Sequence, residues 1–184
     1  RVARLMVSTT NQAPVPTISF PLAGSPYSCS ETMAFRGTAT DPEEGSLSPS
    51  AFDWRVTFHH GNYNVLVLGT LNGVTNGSFT VPFRGELDTN VFYRVHLTVR
   101  DSSGRRATTT RDIYPRTATL TLRSNPSGMP VTLDGLTVIT PFLTGSVVNA
   151  RHTLSAMMTT NQLGTNLDFM AWSDGGKPSH EVIM

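Results

Sequence analysis

The stretch FDWRVTFHHGNYN, residues 52–64, holds the side chains of this sequence with the widest chemical range. His59 and His60 could serve as general bases or metal ligands, and Tyr63 could donate a proton or stack on a sugar ring. The residues before the histidines alternate between apolar and polar, which predicts a β-strand. Neighbouring side chains on a strand point to opposite faces, so His59 and His60 cannot chelate one ion while the strand continues. We interpret the pair as a strand end beside a recognition loop.

An enzymatic interpretation of these residues is a lyase or hydrolase that uses His59, His60 and Tyr63. The sequence contains no G-x-S-x-G, P-loop, dinucleotide-binding or H-E-x-x-H motif to support it. The single cysteine, Cys29, cannot form an internal disulfide or a cysteine metal cluster, and it is typical of a small buried residue. We therefore predict a protein without catalytic activity.

Short alternating segments must position these side chains. Strands are predicted at 11–21, 31–41, 54–59, 73–82, 90–101 and 107–115, separated by turn residues. About seven short strands at this spacing are typical of an immunoglobulin-type β-sandwich, with Trp54 as the buried central tryptophan and Tyr93 as a tyrosine corner. The composition agrees, because charged residues make up only 15% and the 15 glycines and 12 prolines suit tight turns.

Three linked runs carry a resemblance to a known family: NQAPVPTI, FRGTATDPEEGSLSPSAFDWRVTFHHG and YRVHLTVRDSSG. Together they resemble a PKD-like immunoglobulin module. The most similar version is the one attached to secreted bacterial sugar-dehydrogenase-like proteins, of glucose or sorbosone type, and to glycoside-degrading proteins. In that version HHG is usually followed by further histidines, whereas NYNVLVLG follows here.

The segment after the sandwich resembles the small all-β module that follows PKD-like regions in the same secreted proteins. It carries an N-P-S-G turn, a Leu-Asp-Gly turn and a closing W-S-D-G, in which we expect Trp172 to fill a small core. The predicted organisation is an N-terminal extension at 1–10, a PKD-like immunoglobulin β-sandwich at 11–115 and a small all-β domain at 116–184.

The loops of such a sandwich gather at two poles. One pole receives HHGNYN and PFRGELDTN, which supply the predicted carbohydrate-binding residues: His59, His60, Asn62, Tyr63, Phe83 and Arg84. An aromatic ring stacks on the C–H face of a sugar, and polar side chains bond its hydroxyls. The alternative is that the aromatic residues cover the end of the sandwich and that His59 lies on the sheet face.

The other pole receives DPEEGSLSPSAFD and RDSSGRR. Its carboxylates predict a candidate structural calcium site at Asp41, Glu43 and Asp101, because Ca²⁺ takes six to eight oxygen ligands. The alternative is that Asp41 and Asp101 cap turns by accepting backbone N–H groups, while the glutamates stay solvated. The sequence suggests no cofactor other than this calcium.

A further surface is the outward face of the predicted sheet, which is flat and basic and could hold an acidic polysaccharide or dock the second domain. Its residues are Arg55, Thr57, His59, Arg94, His96, Thr98 and Arg100. A net charge of +1 and the lack of interleaved exposed aromatics argue against nucleic acid as a partner. No apolar run reaches the ~18 residues of a membrane span.

The resemblance implies a non-catalytic, accessory carbohydrate-binding module of a multidomain bacterial protein that is secreted or held at the cell surface. The implied partners are a polysaccharide or cell-surface glycan and a neighbouring catalytic domain. The alternative is a structural spacer, an adhesion unit or a self-assembling cell-surface subunit, which exposed sheet edges and low charge favour.

Overall fold

The computed structural model describes residues 10–83, 89–162 and 164–184, and these residues form an all-β protein, as predicted. Within them, regular structure consists of strands and one short 3₁₀ turn at Pro49–Ala51. The described residues contain no helix with the length and hydrophobicity that crossing a lipid bilayer requires. The finer assignment to the immunoglobulin type stays a prediction.

The chain divides into two compact units. The first comprises the described residues of Arg1–Ser25, Met33–Phe79 and Phe92–Ile113, and the second comprises those of Pro26–Thr32, Thr80–Val91 and Tyr114–Met184. The domain boundary expected at 115–116 lies within two residues of Tyr114, where the last segment of the second unit begins. The second unit also includes Pro26–Thr32 and Thr80–Val91, which lie in the range assigned to the sandwich. Their backbone bonds within the second unit: Cys29 N–H donates to the Val148 carbonyl, and Arg151 N–H donates to the Phe83 carbonyl. Residues 1–9 of the expected N-terminal extension lie outside the described residues.

The first unit is a sandwich of two antiparallel sheets. In one sheet, β3 pairs with three shorter strands; its members are β1 (Val15–Phe20), β3 (Thr32–Asp41), β4 (Gly45–Ser46) and β7 (Asn76–Thr80). The second sheet has the order β9-β8-β5-β6, built from β5 (Phe52–His60), β6 (Tyr63–Asn72), β8 (Val91–Arg100) and β9 (Arg106–Pro115). Alternating apolar residues on β3, β5 and β8 face inward, as their period of two predicts.

Trp54 lies at the centre of this sandwich and is only 1% exposed. Its ring centroid is 4.8 Å from that of Phe35 on the opposite sheet, and its Nε1–H donates to the Val74 carbonyl. Gly37 permits this approach, because a Cβ there would lie 2.7 Å from Leu97 Cδ2 and 3.0 Å from Trp54 Cη2. Tyr93 is also buried, so both aromatic core predictions are confirmed.

Strand β6 is absent from the predicted strands, and the expected loop HHGNYN is in fact the tip of the β5–β6 hairpin. The sequence YNVLVLGTLN shows no apolar–polar alternation because β6 lies at the edge of its sheet and is buried on neither face. Four of its apolar side chains, Tyr63, Val65, Leu66 and Val67, are 38–59% exposed. Without this alternation, the sequence pattern does not predict β6 as a strand.

The second unit contains a four-stranded sheet, a two-stranded sheet and a separate two-stranded ribbon. The four-stranded sheet has the order β12-β11-β14-β17, with β11 (Pro130–Leu133), β12 (Leu136–Ile139), β14 (Arg151–Ala156) and β17 (Ser179–Ile183). The other pairs are β10 (Thr117–Leu122) with β13 (Phe142–Val147) and β15 (Thr159–Gln162) with β16 (Thr165–Asp168). In addition, β2 (Pro26–Tyr27) runs parallel to Tyr114 and Pro115.

The core of the second unit is a cluster of aliphatic side chains: Leu122, Val131, Leu133 and Leu154. Trp172 of the W-S-D-G segment is half-buried and packs against this cluster, as expected. The predicted Leu-Asp-Gly turn joins β11 to β12, with φ of 50° at Asp134 and 84° at Gly135. Two successive positive φ values are what a type I′ hairpin turn requires.

Cys29 is buried, as expected, and burial raises the pKa of its thiol.

We expect Gly37→Ala to lower the free energy of unfolding of the first unit by about 1–3 kcal/mol, because the new methyl group overpacks the contact with Leu97 and Trp54. Urea unfolding followed by Trp54 fluorescence in a Trp172→Phe background measures this change. Gly69→Ala on β6 is the matched control, since a Cβ there meets nothing within 4 Å. Equal stabilities of the two variants would contradict the close sheet packing.

Candidate functional site

The tip of the β5–β6 hairpin holds four of the predicted carbohydrate-binding residues. A two-residue turn, Gly61–Asn62, joins the strands and sets His60 opposite Tyr63. Gly61 has a φ of 54°, which glycine adopts without steric cost at the first position of a type II′ turn. The ring of Tyr63 is 53% exposed and lies 5.9 Å from that of His60. Tyr63 is therefore a strand residue, not the loop residue that we expected, and its solvent-exposed ring is held at a tight turn.

His59 lies on the opposite face of the strand from His60, as the strand period predicts. Its ring stacks on Phe92 of β8, with the centroids 4.5 Å apart and the planes 8° from parallel. Oγ1 of Thr57 is 2.9 Å from His59 Nε2 and 3.0 Å from His96 Nε2. Because a hydroxyl has one hydrogen, Thr57 can donate to only one imidazole and must accept from the other if both bonds form. The alternative expectation that His59 lies on the sheet face is thus confirmed.

Two charged residues complete an outer-face cluster, which we define as Thr57, His59, Phe92, Arg94, His96 and Asp112. Arg94 forms a bidentate ion pair with Asp112, with N–O distances of 2.6 and 2.8 Å. The hydrogen bonds from Arg94 outweigh the opposing effect of burial and lower the pKa of Asp112. This bidentate geometry fixes the guanidinium in the plane of the carboxylate.

The histidines of the outer-face cluster are neutral at pH 7. Burial, followed by the positive charges of Arg55 and Arg94 and by His59, lowers the pKa of His96 to about 4, against the weaker effect of Asp112. Burial, followed by Arg94, also lowers the pKa of His59, again against Asp112. The cluster therefore presents neutral imidazoles beside permanent guanidinium charges.

The other two predicted carbohydrate-binding residues do not join the hairpin set. Phe83 belongs to the second unit, where the guanidinium of Arg151 lies 5.2 Å from the centroid of its ring and the Arg151 N–H donates to its carbonyl. Arg84 lies outside the described residues. The predicted set is thus divided, and His59, His60, Asn62 and Tyr63 share one hairpin.

The carboxylates of the predicted calcium site accept hydrogen bonds from the protein itself. Asp41 Oδ1 accepts the N–H groups of Glu43 and Glu44 at 2.9 and 3.0 Å. Asp101 Oδ1 accepts the N–H of Arg105 at 2.7 Å, and its Oδ2 accepts Asn11 Nδ2–H at 2.8 Å. Burial raises the pKa of Asp101, but its hydrogen bonds, from Asn11 above all, outweigh burial and give a net lowering.

These contacts favour the turn-capping alternative, and the calcium site stays a prediction. Among the described residues, no group of three or more His, Cys, Asp or Glu side chains has an arrangement that could hold a metal ion. Oδ2 of Asp41 is buried without a hydrogen-bond partner in the described chain, but one oxygen falls short of the six to eight that Ca²⁺ takes. The turn-capping alternative accounts for Asp41 and Asp101. Glu43 and Glu44 also accept bonds, from the Gln12 N–H and from Ser102.

Sequence reasoning missed a Ser–His–Asp arrangement in the second unit. Ser146 Oγ lies 2.6 Å from His152 Nε2, and Asp134 Oδ2 lies 2.6 Å from His152 Nδ1. The three residues lie on β13, on β14 and in the β11–β12 turn, with no local motif to connect them. The order of contacts matches that of a catalytic triad, in which histidine activates the serine and aspartate orients the histidine.

Burial argues that this arrangement is structural. Ser146 is 0% exposed and His152 is 1% exposed, so a substrate cannot reach the serine oxygen in this conformation. The network instead fastens the turn to β14, because Asp134 Oδ1 accepts the Thr153 N–H at 2.7 Å and the Asp134 N–H donates to the Thr153 carbonyl. His152 and Ser146 extend the connection to β13. Buried polar groups need such partners, since an unpaired one costs about 1–3 kcal/mol.

A cavity of about 380 Å³ in the second unit also escaped sequence reasoning. Methionine and aromatic side chains contribute much of its lining: Met129, Met157, Phe169, Met170 and Trp172. They come from separate segments of the chain, and no sequence pattern connects them. Met157 and Met170 are 62% and 90% exposed, so apolar surface continues outside the cavity.

Comparisons with protein-family models, with curated proteins and with solved structures find no match for this chain. The resemblance to a PKD-like module accordingly stays a prediction that rests on the sequence runs quoted above.

We expect the first unit to lose stability as the pH falls from about 6.5 towards 4. The pKa of His96 is about 4 in the folded protein and near 6.5 in the unfolded chain, so the unfolded chain binds the proton first. Above pH 6.5 both forms are neutral and this contribution is constant. His96→Gln should reduce the loss between pH 7 and 4 by about 1–2 kcal/mol, allowing for solvent screening of this partly exposed group. Urea titrations at both pH values measure it, and identical losses in the variant and the parent protein would contradict the shifted pKa.

We expect Ser146 to resist modification by a fluorophosphonate ester, the reagent class that labels activated serines, because its hydroxyl is fully buried. Mass spectrometry of the treated protein checks this. Labelling of Ser146 that disappears in His152→Gln would show an accessible and activated nucleophile, and would contradict the structural interpretation of the network.

Proposed function

We propose that this chain is a non-catalytic carbohydrate-binding module of a secreted or cell-surface protein, acting beside a neighbouring catalytic domain. The observation that carries the proposal is the half-exposed ring of Tyr63 at the tip of a tight hairpin. An exposed aromatic face held in one place is what stacking on the C–H face of a sugar requires.

The residues around Tyr63 supply hydrogen-bonding groups of the kind that hydroxyl recognition needs. Asn62 is exposed in the turn beside it, and His60 is its partner across the hairpin. The amide offers two donors and one acceptor oxygen, and the imidazole adds two ring nitrogens. Together with the ring they form a small surface that combines stacking with polar contacts.

The backbone supports the proposal through pre-organisation. A two-residue turn and a regular ladder from His60–Tyr63 to Thr57–Leu66 hold these side chains on strand positions. Ordering a mobile side chain on binding costs about 0.5–1.5 kcal/mol, so a site built on a hairpin retains more of its contact energy than one on a long loop. Recognition of this kind needs no covalent step.

Strand-mediated assembly is a second candidate function, and the apolar edge strand β6 favours it. β6 has ten residues, none charged and none proline, and its exposed apolar side chains could continue into the sheet of another molecule. Size in solution separates the two functions: a monomer that binds glycan supports recognition, whereas an ordered dimer supports assembly through β6.

We expect Tyr63→Ala to weaken binding to the recognised glycan about five- to thirtyfold, because stacking on an exposed ring contributes roughly 1–2 kcal/mol. Affinity electrophoresis against soluble and insoluble polysaccharides measures it. Phe20→Ala is the control, since Phe20 is an exposed aromatic residue on β1 of the other sheet, outside the hairpin. Unchanged migration of the parent protein on every glycan would remove the proposal.

A further inference from the structure

We infer that the outer face of the sheet β9-β8-β5-β6 selects acidic polysaccharides, whose sugars carry carboxylate or sulfate groups. This inference rests on the proposed carbohydrate function and adds the chemical class of the glycan. It depends on the distribution of charge over the face, on the pairing of two arginines and on the shape of the surface.

The outer face carries more positive than negative side chains. The strand alternation places four arginines there, namely Arg55, Arg94, Arg100 and Arg106, and two aspartates, Asp53 and Asp112. In the described part of the chain, only Arg94 among these arginines forms an ion pair with a carboxylate. Arg55, Arg100 and Arg106 are all exposed, so their guanidinium groups remain available to a soluble anion.

Two of these arginines lie directly opposite each other. In the β8–β9 ladder Arg100 pairs with Arg106, and like charges in such a position destabilise a sheet. An anion between the two guanidinium groups would remove that repulsion and could accept a bidentate hydrogen bond from each. Glu44, which lines the same cavity as Arg100, instead accepts hydrogen bonds from Ser102.

The electrostatic environment of the outer-face cluster is consistent with a positive surface. After burial, the positive charges of Arg55 and Arg94 are the largest causes of the lowered pKa of His96. The same field that disfavours a proton on the imidazole favours an anionic ligand beside it.

The shape of the face favours an extended chain with hydroxyl groups. Between Arg94 and Arg100 the strand β8 covers about 20 Å, enough for several sugar rings. Threonine hydroxyls line the interval, and Oγ1 of Thr98 lies 2.8 Å from Oγ1 of Thr108 across the ladder. The aromatic ring of Phe92 is stacked on His59, so it is not an open platform of the kind on which nucleic-acid bases stack.

Affinity electrophoresis of the whole chain in gels with dextran, dextran sulfate or polygalacturonate tests the inference. We expect both anionic polymers to retard the protein more than dextran does, with retardation that weakens as salt rises. Arg106→Gln and Arg55→Gln should each lower affinity for the anionic polymers about fivefold, the effect of losing one exposed charged contact. Arg123→Gln, an exposed arginine of the second unit, is the control and should bind as the parent protein does.

The outcomes separate this inference from the function on which it rests. Binding of dextran with dependence on Tyr63, and no preference for either anionic polymer, would overturn the inference and leave carbohydrate recognition in place. No retardation by either anionic polymer would overturn the inference, and unchanged migration on every glycan of the wider panel would overturn both. Equal effects of Arg106→Gln and Arg123→Gln, or equally tight binding of a 20-residue oligothymidylate, would overturn the assignment of this face to acidic polysaccharide.

Discussion

The contact of Gly37 with Trp54 and Leu97 is the constraint on which the arrangement of the first unit depends. It holds the two sheets close together and fixes the inward direction of Trp54 on β5. Because side chains alternate along a strand, the same contact directs Arg55, Thr57 and His59 outward. A shift of one residue in the register of β5 would turn its core side chains outward and those of the outer-face cluster inward. The packing of the interior therefore also determines which side chains the outer face presents.

The second unit relies on a polar contact in addition to its apolar core. His152 is buried between Asp134 and Ser146, and it connects a turn and two strands that aliphatic packing alone would leave less specifically aligned. The first unit also uses carboxylates to fasten its turns, as Asp41 and Asp101 do by accepting N–H groups. In both units these acidic side chains hold loops by accepting backbone N–H groups.

The sequence predicted the strands whose two faces differ in environment. β3, β5 and β8 have one face in the core and one in solvent, and this contrast appears as alternation around Met33, Trp54 and Val95. β6 lacks the contrast, so its apolar run looked like part of a loop. Turn chemistry was readable at Asp134-Gly135, because Asp-Gly is strongly preferred where two successive φ values are positive.

Contacts between distant segments could not be predicted in this way. The outer-face cluster was visible as a basic strip on alternate positions, but the stacking of His59 on Phe92 and the shared hydroxyl of Thr57 depend on the register of β5 with β8. Phe83 was grouped with Tyr63 through an assumed immunoglobulin topology, whereas its backbone bonds to Arg151 of the second unit. The network of Asp134, Ser146 and His152 joins three elements, and nothing local in the sequence indicates it.

The edges of the first unit differ in their capacity to accept another strand. β1 contains Pro16, which has no N–H to donate, and β9 carries charged side chains such as Arg106 and Asp112, whereas β6 has neither proline nor charge. If β6 paired with β6 of a second molecule, that edge of both sheets would be covered and no further strand could add to it. Growth of this sheet by addition would therefore stop at a closed pair and would not propagate into a filament.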